Sequence, residues 1–291
     1  MRGQLEGASW ARVRRMVETG KIKVDGQTSL DATLPLRAGQ KVEIVWNARR
    51  PDSAQRPRLP ASTIVYVDSH VVVVEKPPGI SSVPFEPHER GTLDELVARL
   101  LSDREGSRRA PLGIVHRLDK ETSGLLMFAR TPFAKNELKN QFRFHTVQRR
   151  YWAVVQGALA SQTLSSRLVT NRGDGLRGST ENPRLGRAAT THVRTLEKMP
   201  TTTLVECRLE TGRTHQIRIH LSEAGHPLVG ERVYSRGYSG STESAPRVML
   251  HAFELGFEHP ASKKPLLFSS EMPSDMQQAL AELRRSPLSQ I

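Results

Sequence analysis

The chain has 291 residues, enough for about two domains with a sizeable hydrophobic core. Apolar residues make up 37% of the sequence and charged residues 25%, which excludes the collagen-like and the generally disordered classes. Lys and Arg total 43 against 30 Asp and Glu. The net charge of +13 favours a polyanionic partner, most often a nucleic acid, over a basic enzyme with another kind of substrate.

Cysteine usage and apolar runs bear on where the protein works. Cys207 is the one cysteine, which excludes an internal disulfide framework and a multi-cysteine metal site. The longest apolar runs, at 64–74 and 124–129, are interrupted or far shorter than the roughly 20 residues of a membrane span. No apolar signal-peptide core follows Met1. We therefore expect a cytoplasmic protein without a membrane partner.

Residues 1–50 are interpreted as a small basic unit. Ser9 can cap a helix that carries Val13 and Val17, and residues 21–27 predict a strand that runs into an Asp-Gly turn. Residues 36–45 predict a turn and a second strand. Basic side chains crowd the end of the helix and the first strand: Arg12, Arg14, Arg15, Lys21 and Lys23. A solvated helix face is the simplest explanation of such a cluster.

The order of residues in this segment supports a more specific interpretation. The pattern Ser-x-x-x-Val-x-x-x-Val-x-x-Gly-x-Ile-x-Val-Asp-Gly, followed by Leu-Arg-Ala-Gly-Gln, resembles the S4 RNA-binding module. The resemblance implies an S4-like α/β domain over 1–50 whose five basic residues bind RNA. The module's usual opening helix is missing or shortened before Ser9, so its completeness stays open. Three prolines in 51–60 predict a linker, with a second domain over 61–291.

The second domain alternates strands and helices. Residues 64–68 and 71–76 predict a β-hairpin that leads into Lys76-Pro-Pro-Gly, and 92–101 predicts a capped helix. Two short apolar strands flank the polar stretch 120–124, and Pro132 begins a helix that extends to His145. Further strands are predicted at 151–156, 190–196, 203–209 and 248–257. The polar segments 161–187 and 235–246 predict mobile surface loops.

Common catalytic motifs do not occur in the sequence. A Walker loop, a Gly-x-Gly-x-x-Gly turn, a Gly-x-Ser-x-Gly elbow and a His-Glu-x-x-His helix are all missing, which disfavours cofactor-dependent hydride or phosphoryl chemistry. Polar and charged residues are instead concentrated at 116–124 and 211–220. The second stretch alternates like a strand, with Arg213 and His215 on one face and Gln216 and Arg218 on the other. An isolated aspartate such as Asp119 most often only forms a loop.

The combination of motifs favours a catalytic role for this aspartate. His-Arg-Leu-Asp-x-x-Thr-Ser-Gly, at 116–124, closely resembles the signature of pseudouridine synthases of the ribosomal large-subunit uridine type. Further motifs of this family match in order at 75–79, 150–153, 212–218, 225–234 and 250–253. Glu75 stands where Asn is usual and Glu231 where Asp is usual. We expect both departures to lie outside the chemistry.

The resemblance implies a fold, a reaction and roles for individual residues. The fold is an α+β catalytic domain with a central, largely antiparallel mixed sheet, and the reaction isomerises uridine to pseudouridine without a cofactor or metal. Asp119 is the implied catalytic carboxylate, Arg218 its cationic partner and Tyr151 the residue that stacks on uracil and helps to move the C5 proton. Arg117 fills the space that the flipped base vacates. The implied substrate-binding residues are His116, Arg117, Lys120, Thr122, Arg213, His215 and Gln216.

The substrate and the rival functions follow from the same resemblance. Members that carry an S4 module act mostly on large-subunit (23S) ribosomal RNA, which is the expected substrate of a monomeric enzyme. The same reaction on transfer RNA is the alternative within the family. A non-catalytic RNA-binding or ribosome-assembly factor is the alternative from another class, and the intact Asp119, Tyr151 and Arg218 argue against it because binding a polyanion requires no carboxylate.

Overall fold

The computed structural model describes residues 12–13, 16–17, 19–29, 36, 38–48, 58–85, 89–106 and 111–285. The chain divides into two compact units, Met1–Arg58 and Leu59–Ile291. The division falls inside the segment 51–60 that the sequence predicts as a linker, although residues 51–57 of that segment lie outside the described part.

The first unit contains a small antiparallel sheet. Its strands, in the order β2-β1-β3, are β1 (Ile22–Val24), β2 (Gln27–Thr28) and β3 (Val42–Ile44). Asp25 and Gly26 have φ angles of 50° and 80°, the left-handed pair that a type I′ turn requires. The Asp25 carboxylate also accepts a hydrogen bond of 2.8 Å from the backbone N–H of Lys41. The strand and turn predicted at 21–27 are therefore present.

A compact apolar cluster supports this sheet. Met16 and Val17, which have helical backbone, pack against Ile22 and Val24. Of the predicted RNA-binding residues, Arg12 is exposed and Lys21 and Lys23 are partly exposed, whereas Arg14 and Arg15 lie outside the described residues. The S4-like identity of this unit stays a prediction.

The second unit is built on one mixed sheet of eleven strands. In chain order they are β4 (Ile64–Val67), β5 (Val71–Lys76), β6 (Gly113–Ile114), β7 (Ser123–Ala129), β8 (Gln148–Gln156), β9 (Gln162–Val169), β10 (Gly178–Thr180), β11 (Arg187–Lys198), β12 (Thr202–Leu209), β13 (Leu250–Glu258) and β14 (Pro265–Ser269). The spatial order is β10-β9-β11-β12-β8-β13-β7-β5-β4, with β14 beside β13 and β6 beside β7. Among the described strands only β7 and β13 pair in parallel, so the expected largely antiparallel mixed sheet is confirmed.

Helices cover both faces of this sheet, and a 3₁₀ turn, Ala61–Thr63, precedes its first strand. The helices are α1 (Leu93–Glu105), α2 (Pro132–Arg143), α3 (Gln216–Glu223) and α4 (Ser274–Leu283). On β5, Val72 and Val74 join a cluster with α1, whereas Val71 and Val73 join a cluster with α2. This two-sided burial explains why β5 is an unbroken apolar run rather than an alternating one. No helix in the described part is long and apolar enough to cross a membrane.

Strand β7 and strand β13 approach closely at one glycine. Gly124 has a φ of +112°, and a side chain at this position would collide with the backbone carbonyl of Ala252 on β13. Ser123 precedes it and lies beside His251, to which it is hydrogen bonded at 2.9 Å. The Ser-Gly pair of the 116–124 motif therefore fixes the contact between these two strands.

Two predictions of local structure are wrong. Residues 211–220 do not form a strand, because helix α3 begins at Gln216, directly after His215 in left-handed conformation. Residues 216–221 are all buried, so this helix has no exposed polar face over that range. The alternation of polar residues with Ile217 and Ile219 resembles the period of a strand. The segment 161–187 is also not one long loop, because it contains β9 and β10, whose Ser and Thr side chains suit a half-exposed sheet.

Candidate active site

A pocket of about 450 Å³ in the second unit brings the two polar motifs together. It is lined by nine of the residues singled out from the sequence: His116, Arg117, Asp119, Thr122, Tyr151, Arg213, His215, Gln216 and Arg218. Lys120 is exposed and does not line the pocket. Asp119 is the one acidic residue among the described lining residues, which include six cations: Arg117, Lys139, Arg143, Arg149, Arg213 and Arg218.

The Asp119 carboxylate lies near two nitrogen groups at the start of α3. Its Oδ2 is 3.7 Å from Nη1 of Arg218, and its Oδ1 is 3.8 Å from Nε2 of His215. A tight turn follows it, in which the Thr122 N–H donates to the Asp119 carbonyl at 3.1 Å. These distances leave the carboxylate oriented and still accessible to a ligand.

A buried lysine supports this turn from behind. Lys76, at the end of β5, is fully buried, and its Nζ donates to the carbonyls of Pro77, Ile80 and Lys120 at 2.8 Å each. Burial lowers the pKa of Lys76 to about 7, although nearby acids oppose the shift. Three carbonyl acceptors match the three donors of an ammonium group. Lys76 therefore fixes the position of the Lys120 carbonyl, in the residue directly after Asp119.

Arg218 is held mainly by a second acid. Its Nε and Nη2 each donate to the Glu231 carboxylate at 2.7 Å, and the Glu231 side chain is 0% exposed. Burial favours a lower pKa for Arg218, but Glu231 and Asp119 outweigh it and raise that pKa. Burial likewise favours a higher pKa for Glu231, but Arg218 reverses it. The guanidinium is therefore charged, with Nη1 directed towards Asp119.

Glu231, which we expected to lie outside the chemistry, is the direct partner of the arginine that faces Asp119, a contact that the sequence did not predict. It sits in the turn after Gly230, 13 residues from Arg218, so neither a helical nor a strand period connects the two. The sequence feature that could have indicated a role for Glu231 is its position inside the family motif matched at 225–234. The other departure, Glu75, lies at the end of β5, and burial raises its pKa.

Tyr151 enters the pocket from β8. It is 6% exposed, and burial raises the pKa of its phenol, a shift that Arg149 opposes and Asp119 reinforces. A neutral hydroxyl and an apolar ring are thus presented next to the only acid of the described pocket lining.

Arg149 is a further pocket residue, and it is not among the site residues implied by the sequence motifs. It is two residues before Tyr151 and so on the same face of β8, and it is 6% exposed. Its Nη2 donates to the Glu210 carbonyl at 3.2 Å, and its Nε has no hydrogen-bond partner within the described part of the chain. Burial lowers the pKa of Arg149. The period of two along β8 was the signal that could have placed it in the site.

His116 contributes to the wall of the pocket. Its Nε2 accepts a hydrogen bond of 3.1 Å from the Met127 N–H, and its ring stacks on Phe142 with centroids 4.8 Å apart. Burial and the nearby Arg149 lower the pKa of His116 to about 3. The ring is therefore neutral, and one of its two nitrogens is already used within the protein.

The residues around the start of α3 divide between the pocket and the scaffold. His215, at φ 59°, shares a hydrogen bond of 2.7 Å between its Nδ1 and the Tyr234 hydroxyl, which leaves Nε2 towards Asp119. Burial lowers the pKa of His215, and Asp119 opposes the shift. The Gln216 amide is saturated by four partners: Thr211 Oγ1, Arg213 N, Thr190 O and Thr191 Oγ1. Gln216 thus holds the fold of the pocket rather than a ligand.

Comparisons with known proteins identify the family to which the chain belongs. A family model described as RNA pseudouridylate synthase matches residues 70–223. A relative from Nitrosomonas europaea, named ribosomal large subunit pseudouridine synthase D, is 36% identical over 97% of this chain and 83% of its own length. A Bacillus subtilis relative, named uncharacterized RNA pseudouridine synthase YlyB, is 37% identical over 95% of this chain and 91% of its own length.

A solved structure shows the same fold. The human protein named RNA pseudouridylate synthase domain containing 4 aligns with a TM-score of 0.63 and 23% identity, over 76% of this chain and 92% of that one. The resemblance stated from 116–124 is thereby confirmed, since a family model covers more than half of the chain and relatives match nearly all of it. The chain belongs to the RNA pseudouridylate synthase family and is an RNA-modifying isomerase that converts uridine to pseudouridine.

Proposed function

We propose that this enzyme isomerises one or more uridines of large-subunit ribosomal RNA, with Asp119 as its catalytic carboxylate. The observation that carries the catalytic assignment is the single acid of the described pocket lining, set between Arg218 and His215 and surrounded by cations suited to RNA. The relatives named ribosomal large subunit pseudouridine synthase D support the substrate.

The reaction can be written for these residues without an external reagent. The N1–C1′ bond of uridine breaks, the uracil turns in the pocket, C5 joins C1′, and the C5 proton leaves while N1 gains one. Asp119 can add to the sugar or the base, or take the 2′ proton to give a glycal, and all three roles require an ionised carboxylate. The Arg218 guanidinium lies 3.7 Å from this carboxylate and places a positive charge beside it.

In this proposal, Tyr151 contacts the detached uracil and Arg117 takes the place of the flipped base in the RNA stack. The neutral, apolar ring of Tyr151 stacks on the detached uracil, and its hydroxyl relays the C5 proton. The target must first leave its stack, at a cost of a few kcal/mol. Arg117, which is exposed at the pocket, fills the vacated space with its planar guanidinium.

The remaining residues implied by the sequence motifs bind or position the RNA around the uridine. Within the pocket these are His116, Thr122, Arg213 and His215, with Lys120 on the exposed turn beside it. Gln216, whose amide is hydrogen bonded inside the protein, supports them by holding the backbone of the pocket. The first unit acts as an S4-like RNA-binding domain through Arg12, Arg14, Arg15, Lys21 and Lys23. We place the enzyme in the cytoplasm, as a monomer that works without a cofactor.

Release of tritium from RNA labelled at uridine C5 tests this proposal. Large-subunit ribosomal RNA and transfer RNA transcripts are compared as substrates, with the Asp119→Asn variant as the inactive control. We expect release from ribosomal RNA by the wild-type chain and less than a few per cent of that rate by the variant. Release confined to transfer RNA would refute the substrate, and a higher rate in the variant would refute the role of Asp119.

A further inference from the structure

Helix α2 ends at the edge of the pocket and leaves an aromatic ring in solvent. Phe144, the residue after the helix, is 69% exposed, whereas its neighbours Arg143 and His145 both line the pocket. The guanidinium carbon of Arg143 lies 5.9 Å from the centroid of the Phe144 ring. The ring packs in none of the apolar clusters found among the described residues.

The backbone at the end of helix α2 has a conformation that residues other than glycine rarely adopt. His145 has a φ of 58°, a left-handed position that glycine usually occupies after a helix. Backbone hydrogen bonds on both sides hold it, from Phe144 N–H to the Asn140 carbonyl at 2.8 Å and from Thr146 N–H to the Gln141 carbonyl at 3.0 Å. The chain therefore keeps side chains at 144 and 145 on a rigid turn, rather than on a flexible loop.

The charges around this ring suit RNA rather than a protein partner. Lys139 and Arg143, one turn apart on α2, line the same pocket, and its described lining holds six cations against one acid. Proteins that bind single-stranded nucleic acid combine such a basic surface with aromatic rings on which bases stack. An exposed ring within a cationic rim has both parts of that arrangement.

We propose that Phe144 is a base-stacking residue, whose ring stacks on an unpaired RNA base next to the uridine in the pocket while Lys139 and Arg143 hold the adjoining phosphates. The inference rests on the proposed function, because it takes the pocket as the place where the uridine reacts. It adds a residue outside the pocket that selects unpaired RNA, since a base inside a duplex has no free face to offer.

The same helix supplies a matched control. Phe133, in the first turn of α2, is 52% exposed, but its ring contacts His70 at a centroid distance of 6.2 Å and it does not line the pocket. Replacing either phenylalanine removes an exposed ring of the same size. Only one of the two lies at the rim where RNA is expected.

Equilibrium binding by the full chain tests the proposal with three ligands: a 12-nucleotide single-stranded RNA, the blunt duplex of the same sequence, and heparin as a polyanion without bases. We expect Phe144→Ala to weaken binding of the single strand by about 5-fold or more, the lower end of what one stacked base contributes. Duplex and heparin binding should stay unchanged. Phe133→Ala should bind all three ligands like the wild type.

Two further variants separate stacking from charge and from misfolding. Phe144→Trp should bind the single strand at least as tightly as the wild type, with its added fluorescence quenched by the single strand and not by heparin. Lys139→Met should weaken binding of all three ligands. Equal loss on all ligands in Phe144→Ala, no loss on the single strand, or no measurable binding of the single strand by the wild type would each overturn the proposal.

These outcomes are distinct from those of the proposed function. If the wild type releases tritium from ribosomal RNA but Phe144→Ala binds single strands normally, the enzyme assignment stands and the stacking role is refuted. If the wild type releases no tritium but Phe144→Ala loses single-strand binding selectively, the proposed function fails and the stacking role stands.

Discussion

Arg218 serves two carboxylates with different atoms. Its Nε and Nη2 bind Glu231 at 2.7 Å, which leaves Nη1 at 3.7 Å from Asp119. A bidentate arginine has little freedom to rotate. Glu231 therefore orients the cation, and Asp119 experiences its charge without being locked into a direct hydrogen bond.

Asp119→Asn tests the catalytic assignment at this scale. The amide keeps the size of the carboxylate but loses its nucleophilicity and basicity, so we expect less than a few per cent of the wild-type rate with RNA affinity nearly unchanged. The measurement is single-turnover tritium release together with the dissociation constant for the same transcript. A rate above a few per cent of the wild type would contradict the assignment.

Arg218→Met should lower the rate much more than the RNA affinity. The substitution keeps much of the apolar stem but removes the cation that lies 3.7 Å from Asp119 and binds Glu231. The check is kcat at saturating RNA together with the dissociation constant for the same transcript. An unchanged kcat, or a loss of affinity as large as the loss of rate, would contradict a role for Arg218 beside Asp119.

Motifs located residues that line the pocket, but not all of their partners. Asp119, Tyr151 and Arg218 could be identified from ordered sequence patterns and do meet in one pocket. The pairing of Arg218 with Glu231 depends on a turn that sequence periodicity does not describe. The burial of Arg149 depends on the strands that surround it.

At the scale of elements, Asp68 joins the β4–β5 turn to the end of β13. Its carboxylate accepts hydrogen bonds from the Tyr66 hydroxyl, from two backbone N–H groups and from His259 Nε2, at 2.7–2.8 Å. Burial alone raises the pKa of Asp68, but these hydrogen bonds outweigh it and lower that pKa to about 2. The turn should therefore weaken in acid.

The sign of this effect gives a prediction. Because the pKa of Asp68 is lower in the folded state than its ordinary value of 3.8, its contribution is complete above about pH 4 and is lost as the pH falls towards about 2. Asp68→Asn should remove about 1 kcal/mol at pH 7, after allowance for solvent screening, and less at pH 3. Urea unfolding at both pH values measures it, with exposed Asp103→Asn as the control. A loss that is equal at the two pH values would contradict the prediction.

The elements that sequence predicted best are those with a clear period and a clear start. Helix α2 begins at Pro132 with the Thr131 hydroxyl accepting from the Ala134 N–H at 3.1 Å, as its sequence indicates. Helix α3 was missed because residues 216–221, most of the helix, are buried. Strand β9 was missed because polar residues on a half-exposed sheet resemble a loop in composition.

At the scale of the whole molecule, the fold class followed from the family resemblance and not from strand periods. Strand order depends on pairings such as β8 with β13, which join residues about a hundred positions apart. No local pattern encodes such pairings, because each strand could satisfy its hydrogen bonds with several others. The division near residue 58 agrees with the proline-rich composition of 51–60.

Removal of residues 1–58 tests the role of the first unit. If its basic residues bind phosphates, the truncated chain should lose affinity, and the slope of log K against log salt should fall by roughly 2 to 4 units, at about 0.7 to 0.9 per contact. The single-turnover rate at saturating RNA should persist. An unchanged slope would show that the unit does not bind the RNA, and a lost rate in a folded truncation would show that it helps to build the site.

Mapping of pseudouridines in large-subunit ribosomal RNA tests the central claim most directly. The RNA is taken from a strain that lacks this gene, and from the same strain supplied with the wild-type chain or with Asp119→Asn. We predict that one or more pseudouridines disappear in the deletion, return with the wild type and do not return with the variant. An unchanged pattern in the deletion, or restoration by Asp119→Asn, would contradict the account.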